Sequence, residues 1–215
     1  MKKLLPVLTA VCVFFAWAQS PEETVRKMEE NLRSLETFQA QFSQTYYSSS
    51  VTMPLEESGR IYYRKPGWMR WDYMEPEKKT ILVRGGEVSY YFPEDNQVIL
   101  HSAEENERES NIVSLLSGKR SILEDYDIEP AIFPVSGPNT EQIKLIPKNE
   151  MEAESYVLLE IDRDTHFIQK AVFFDWTGNK QEFLFTNVKT GIRLPEGTFE
   201  LDLPPEVEII KSPSP

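Results

Sequence analysis

Five aromatic residues fall within the fifteen positions from Gly59 to Tyr73, GRIYYRKPGWMRWDY, and a chain that places them there must cover them. The stretch reads as strand, bend, strand. Pro66-Gly67 supplies the bend, because proline fixes φ and glycine frees it. Alternation puts Ile61 and Tyr63 on one face of the first strand and Tyr62 and Arg64 on the other. On the return, Trp68, Arg70 and Asp72 alternate with Met69, Trp71 and Tyr73, while Arg64 and Lys65 stand where the first strand meets the turn. Either the protein's own core or a ligand has to cover this hairpin.

The rest of the chain repeats the strand pattern. Phe38, Ala40 and Phe42 alternate with Gln39, Gln41 and Ser43, giving a strand with one wet face. Strands are expected near 37–48, 56–64, 68–74, 79–84, 87–92 and 96–101, with Gly85-Gly86 and Asp95-Asn96 as tight turns. After a charged loop at 103–109, a short helix Ile112–Ser117 ends at Gly118. Strands resume near 124–129, 141–146, 155–161, 167–174, 180–188 and 198–203, separated by longer loops at 130–138 and 147–154. Pro21 to Leu35 reads as an amphipathic helix: Ser20 caps it, Glu22 and Glu23 suit its positive end, and Val25, Met28, Leu32 and Leu35 recur at helical spacing. The expected fold is mainly β, an unclosed antiparallel β-barrel of about 11–12 strands with helices over an apolar cavity.

The first eighteen residues read as a signal peptide rather than part of the fold. Met1-Lys2-Lys3 is basic, Leu4 to Phe15 is apolar but short for a bilayer span, and Ala16-Trp17-Ala18 sets up cleavage at Ala18–Gln19. Lipidation at Cys12 is disfavoured, because Val11 stands where a small residue is wanted. Cleavage removes this only cysteine, and with it any disulfide, thiolate nucleophile or cysteine metal site. It also takes Lys2 and Lys3, so the formal charge moves from −12 to −14. So acidic a chain repels nucleic acid and anionic membrane surfaces. Residues 19–210 read as one exported, periplasmic domain, and 211–215 as a flexible tail.

Catalytic chemistry has no residues arguing for it. His101 ends a strand and His166 sits in the turn Asp162-Arg-Asp-Thr-His-Phe, so both read as surface histidines. There is no Gly-x-Ser-x-Gly elbow, no His-Glu-x-x-His helix and no Walker-type loop. Asp162 and Asp164 lack the further ligands that a calcium loop needs. The expectation is no enzyme, no catalytic residue, no metal and no cofactor.

The order and spacing of several segments resemble the periplasmic outer-membrane lipoprotein carrier family, LolA. They are Leu35-Glu-Thr-Phe-Gln-Ala-Gln-Phe-Ser-Gln-Thr, the hairpin at Gly59–Tyr73, Glu75-Pro76, Ile81-Leu82-Val83-x-Gly85-Gly86-x-Val88-x-Tyr90-Tyr91, Gln97-Val98, Leu145-Ile-Pro-Lys and Phe199-Glu-Leu-Asp-Leu-Pro-Pro-Glu-Val-Glu-Ile.

The resemblance implies a carrier that takes the acyl chains of lipoproteins released by an inner-membrane ABC transporter. It hands them to an outer-membrane receptor where one is present. The expected state is a monomer with no nucleic-acid partner. In the family a basic residue just before the hairpin proline bonds to a helical lid and holds it shut. Here that position is Lys65, a single ammonium where many members have arginine's planar fork, and neighbouring Arg64 could share the role. The lid's apolar face would be Ile112, Val113, Leu115 and Leu116. The acyl-chain wall would draw on Phe38, Phe42, Ile61, Tyr63, Met69, Trp71 and Tyr90, for each of which ordinary core packing is the alternative. A lipid or glycolipid shuttle, or a lipoprotein-sensing regulator, could be built on the same fold. Burying roughly 45 methylenes at ~0.8 kcal/mol each would approach ~36 kcal/mol. That is far beyond the range of about −18 to −21 kcal/mol in which affinity saturates. A lid that prefers to be closed would oppose binding and so permit release.

Overall fold

The computed structural model describes residues 20–102, 111–118, 121–132, 139–149 and 153–211. The signal peptide and its cleavage site, the charged loop 103–109 and the tail residues 212–215 lie outside the described residues. Ser20 caps helix α1 (Pro21–Ser34), its side chain accepting from Glu23 N at 3.2 Å. Six strands follow: β1 (Thr37–Tyr47), β2 (Leu55–Arg64), β3 (Trp68–Glu75), β4 (Lys79–Arg84), β5 (Glu87–Phe92) and β6 (Gln97–Ser102). Two short helices, α2 (Asn111–Ser117) and α3 (Ile122–Asp125), separate them from β7 (Tyr126–Pro130), β8 (Thr140–Pro147), β9 (Glu154–Asp162), β10 (Ile168–Asp175) and β11 (Lys180–Thr190). The last strand is β12 (Glu208–Lys211).

All twelve strands form one open sheet in the order β12-β6-β5-β4-β3-β2-β1-β11-β10-β9-β8-β7. The meanders β2–β6 and β7–β11 meet at β1, which pairs with β2 on one side and β11 on the other. A bulge interrupts the β1–β11 register between Gln39 and Gln41. There Asn187 adopts φ 52° and its Nδ2 donates to Gln41 Oε1 at 2.6 Å. Extra residues on one strand bend it, which helps to curl the sheet.

Three expectations are corrected. The predicted strand at 198–203 is absent: Thr198, Phe199 and Glu200 have their carbonyls taken by arginine side chains, and Pro195, Pro204 and Pro205 could not join a ladder. The true twelfth strand is β12, which pairs parallel to β6, so the sheet is antiparallel everywhere but at this edge. Lys211, predicted to belong to the loose tail, is in register with Leu100. The strand predicted from residue 124 begins at Tyr126 instead, because a turn of helix, α3, occupies Ile122–Asp125.

One apolar cluster joins the helices to the sheet. Val25, Met28 and Leu32 of α1 and Ile112, Val113 and Leu116 of α2 pack with alternate residues of β1–β3 and β8–β11. A second, smaller cluster lies on the other face of the sheet, where Leu194 and Phe199 cover Leu82.

Candidate functional site: a lidded apolar wall

The wall is built by register. Ala40 pairs with Ile61, Ile61 with Trp71, Trp71 with Ile81 and Ile81 with Tyr90, so these side chains form one row across five strands on the concave face. Beside it Phe38 pairs with Tyr63, and their rings stack at 5.1 Å. Phe42 meets Trp71 and Tyr73 edge-on at 5.1 and 4.9 Å. Gly59 is opposite both Phe42 and Tyr73, and a Cβ there would lie 1.9 Å from Asp72 O and 3.0 Å from the Phe42 ring. Only glycine therefore lets β2 and β3 approach and the two rings meet above it.

Of the seven predicted wall residues, Phe38, Phe42, Ile61, Tyr63, Met69 and Trp71 are fully buried in the main cluster, and Tyr90 is half-buried at its edge. Burial is the first cause that pushes the Tyr73 hydroxyl above its ordinary pKa, with the nearby Glu57 and Tyr90 charges second, so it stays a donor, to Gln44 Oε1 at 2.7 Å. Ile112, Val113 and Leu116 face the same cluster from α2, and Leu115 is half-buried against it.

Two cations were predicted together and the structure separates them. Lys65 Nζ reaches Arg33 O at 3.2 Å and Glu36 Oε1 at 3.3 Å, and its backbone N bonds Glu36 O at 2.9 Å. The hairpin turn is thus tied to the C-terminal end of α1. Arg64 lies on the convex face, its guanidinium 4.8 Å from the Phe199 ring centroid and 5.9 Å from that of Trp68. Consecutive strand residues point to opposite faces, so Arg64 takes no part in the Lys65 contact.

A second tie was missed. Glu29 is buried on α1, where its carboxylate accepts from Ile122 N at the start of α3 and pairs with Arg33 Nη2 at 2.7 Å. It supplies the N-terminal cap that Ser121 does not. The helical period could have found it, since Glu29 falls within the stripe Val25, Met28 and Leu32. Gly118, at φ +63°, ends α2 against Leu32 and Arg33, so the two halves of the cover meet at one corner.

The cover fits closely. Between α2–α3 and the strands at Leu145, Val157 and Phe173 the void is about 20 Å³. More space remains at two edges. A cleft of about 670 Å³ opens beside α1, with Phe167, Phe185 and Val188 among its walls and Asn31, Gln169 and Asn187 at its polar positions. A cavity of about 230 Å³ lies beside α2, bordered by Trp71, Ile81, Tyr90 and Ile112.

On the convex face, residues 192–201 run across β2–β5 as a strap. Arg70 Nη1 donates to Thr198 O and Glu200 O at 3.2 and 2.8 Å, and Arg84 Nη1 donates to Phe199 O at 3.0 Å. Asp72 holds Arg70 through both oxygens, at 2.8 and 3.0 Å.

Asp162, set aside in the sequence as too sparsely supported for a calcium loop, has a structural use. Asp162 Oδ1 accepts from the backbone N of Asp164 and Thr165 and from the Thr165 hydroxyl, closing the β9–β10 turn. Among the described residues no cluster of three metal-binding side chains occurs, and no helix is long and apolar enough to cross a membrane.

The sequence family described as outer membrane lipoprotein carrier protein LolA matches residues 33–202. The outer-membrane lipoprotein carrier protein of Methylococcus capsulatus is 29% identical over 213 residues, 97% of this chain and 97% of that protein. Among solved structures, a conserved protein of Thermus thermophilus superposes with a TM-score of 0.58 at 16% identity, covering 89% of this chain and 98% of the other. The lipoprotein LppX of Mycobacterium tuberculosis superposes with a TM-score of 0.52 at 13% identity, covering 80% and 95%.

Proposed function

This chain belongs to the LolA family of outer-membrane lipoprotein carrier proteins, and on that premise we propose that it carries lipoproteins through the periplasm with their acyl chains on the concave wall. The chains enter where α1 and α2 now pack, after release by an inner-membrane ABC transporter, and leave at the outer membrane, to a receptor where one is present. Export by the signal peptide at residues 1–18 would place the carrier there.

The observation that carries this reading is the nature of the cover. A continuous wall of buried aromatic and aliphatic side chains forms one cluster with Val25, Met28 and Leu32 of α1 and Ile112, Val113 and Leu116 of α2. Acyl chains offer the wall the same kind of contact, so exchanging lid for lipid leaves no buried polar group of the wall newly exposed. Polar ties add to this: Lys65 bonds Arg33 O of α1, Lys148 Nζ bonds Leu123 O and Glu124 O of α3, Asn31 of α1 bonds His166 O, and Glu29 joins α1 to α3 through Ile122 N. The Lys65 ammonium is 46% exposed and Glu36 74%, so that ion pair contributes about 0–1 kcal/mol and the carbonyl bond about 1 kcal/mol. A bias of this size changes the open population by roughly tenfold, enough to oppose binding without forbidding it.

The test is release from membranes. Spheroplasts or transporter liposomes holding a labelled lipoprotein are incubated with the mature protein and with Lys65→Leu. The wild type is expected to yield a soluble one-to-one complex and to pass its cargo on. Lys65→Leu is expected to take up lipoprotein and retain it. Lipoprotein that stays entirely in the membrane with wild type overturns the carrier reading.

A further inference from the structure

The rim where β1 turns into β2 leaves hydrocarbon in the open. Val51, Met53 and Leu55 are 62%, 79% and 53% exposed, and Trp176 in the β10–β11 turn is 65% exposed. Single exposed apolar side chains are ordinary, but several gathered at one end of a fold mark a contact surface. Two observations gather these. Ser49 N and Oγ donate to Asn179 Oδ1 at 2.9 and 3.3 Å, which ties the β1–β2 loop to the β10–β11 turn. Tyr46 pairs with Leu55 across β1 and β2, in the same alternation that carries Phe38, Ala40 and Phe42. The row that forms the concave wall thus runs out to the rim, where Tyr46 and Leu55 are exposed.

The rim is also uncharged. No charged residue falls between Glu36 and Glu56, in a chain that is 27% charged and carries a formal charge of −12. Lys180, beside the loop, lies over the Tyr47 ring at 3.6 Å and pairs with Glu182 at 3.6 Å. Asp175, next to Trp176, turns its carboxylate back into its own turn. There Thr177 N, Thr177 Oγ1 and Asn179 N donate to Asp175 Oδ1 at 2.8, 2.8 and 2.9 Å.

Hot spots for a protein partner sit in packed pockets. Here the apolar side chains are spaced along turns, with Ser50 and Thr52 between them. That composition suits a lipid interface: hydrocarbon takes Val51 and Met53, and the head-group layer takes the hydroxyls and the amphipathic Trp176 ring. Charge decides which lipid. An acidic protein is repelled by an anionic surface, so a rim whose lysine is already paired fits a zwitterionic one.

We propose that the joined β1–β2 and β10–β11 turns are a docking surface for the head-group layer of a neutral bilayer, with Val51, Met53 and Trp176 entering it. The inference does not depend on the carrier reading: it concerns where the protein meets a membrane, not what it carries.

The experiment is flotation of the mature protein with phosphatidylcholine vesicles, with tryptophan fluorescence read on the same samples. Wild type should float with them. Met53→Asp and Val51→Asp, both at exposed loop positions, should each lower the partition about tenfold. Replacing part of the lipid by phosphatidylglycerol should weaken binding and added salt should restore it, the reverse of a polybasic membrane protein. Acyl-brominated lipid should quench the fluorescence of wild type. Trp176→Phe, which keeps an apolar ring, should stay bound with that quenching gone, which separates rim contact from lipid drawn onto the wall at Trp71. No flotation with neutral vesicles, an unchanged partition in the aspartate variants, binding that grows with phosphatidylglycerol, or quenching that survives Trp176→Phe overturns the inference. So does dimerisation without vesicles that Met53→Asp abolishes, which assigns the rim to a second copy of this chain.

Discussion

The two faces of the β2–β3 hairpin are covered in opposite ways. On the concave side Ile61, Tyr63, Met69 and Trp71 lie with α1 and α2 in one apolar cluster. On the convex side Tyr62 and Trp68 lie under a strap whose carbonyls are gripped by Arg70 and Arg84, with Arg64 stacked on Phe199. Hydrocarbon contacts are non-directional, and another hydrocarbon can replace them. Charge-assisted bonds to backbone carbonyls are directional, and a lipid cannot replace them. On the proposed function the concave cover is the one that is exchanged and the convex cover the one that stays.

Arg70→Leu should have the largest effect on stability. It strips the strap of two bonds, leaves Asp72 without its guanidinium and should cost about 3 kcal/mol, read as a shift in the denaturant midpoint. Glu29→Ala comes next. Uncapping α3 and freeing Arg33 should cost about 1–2 kcal/mol, with faster hydrogen exchange confined to α1, α2 and α3. Lys65→Leu should cost under about 1 kcal/mol in global stability yet speed exchange at the end of α1. If the two lid substitutions destabilise the whole sheet as much as Arg70→Leu does, the contrast between the covers fails.

The smallest effect is a pH effect outside both covers. In Asp175 burial acts upward, but bonds from Thr177 and Asn179 outweigh it and hold the carboxyl below its usual pKa. A carboxylate lowered on folding stabilises above its unfolded pKa of about 3.9, and that stability is lost as pH falls through the folded value. Asp175→Asn should therefore lower Tm slightly at pH 7 and lose its penalty as pH falls below about 4. Lid exchange should be the same for both proteins throughout.

The wall was legible because strand alternation is local: Phe38-x-Ala40-x-Phe42 and Met69-x-Trp71-x-Tyr73 announce one buried face each. Which face was concave was not legible, and Arg64 shows why. It neighbours Lys65 in the chain, yet pleating sends it to the far side, against a segment more than a hundred residues later. The strap was misread as a strand because Phe199, Leu201 and Leu203 alternate correctly. Nothing local reports that Arg70 and Arg84 would claim the intervening carbonyls. Glu29 was visible as an acid on an apolar stripe, but its partner is a backbone N–H in another helix, for which composition has no sign.

The position of β1 in the strand order has a consequence for how the chain is made. Phe42 pairs with Gly59 on one side and with Phe185 on the other. During synthesis from the N-terminus, β1 can zip to β2 almost at once, but its second edge stays bare until β11 arrives. Until then an aromatic-rich strand offers an open ladder to any passing chain, and long-range pairing of this kind is slow. Truncation before residue 180 would thus leave two unjoined half-sheets, each with an exposed inner face, rather than a shorter version of the same vessel.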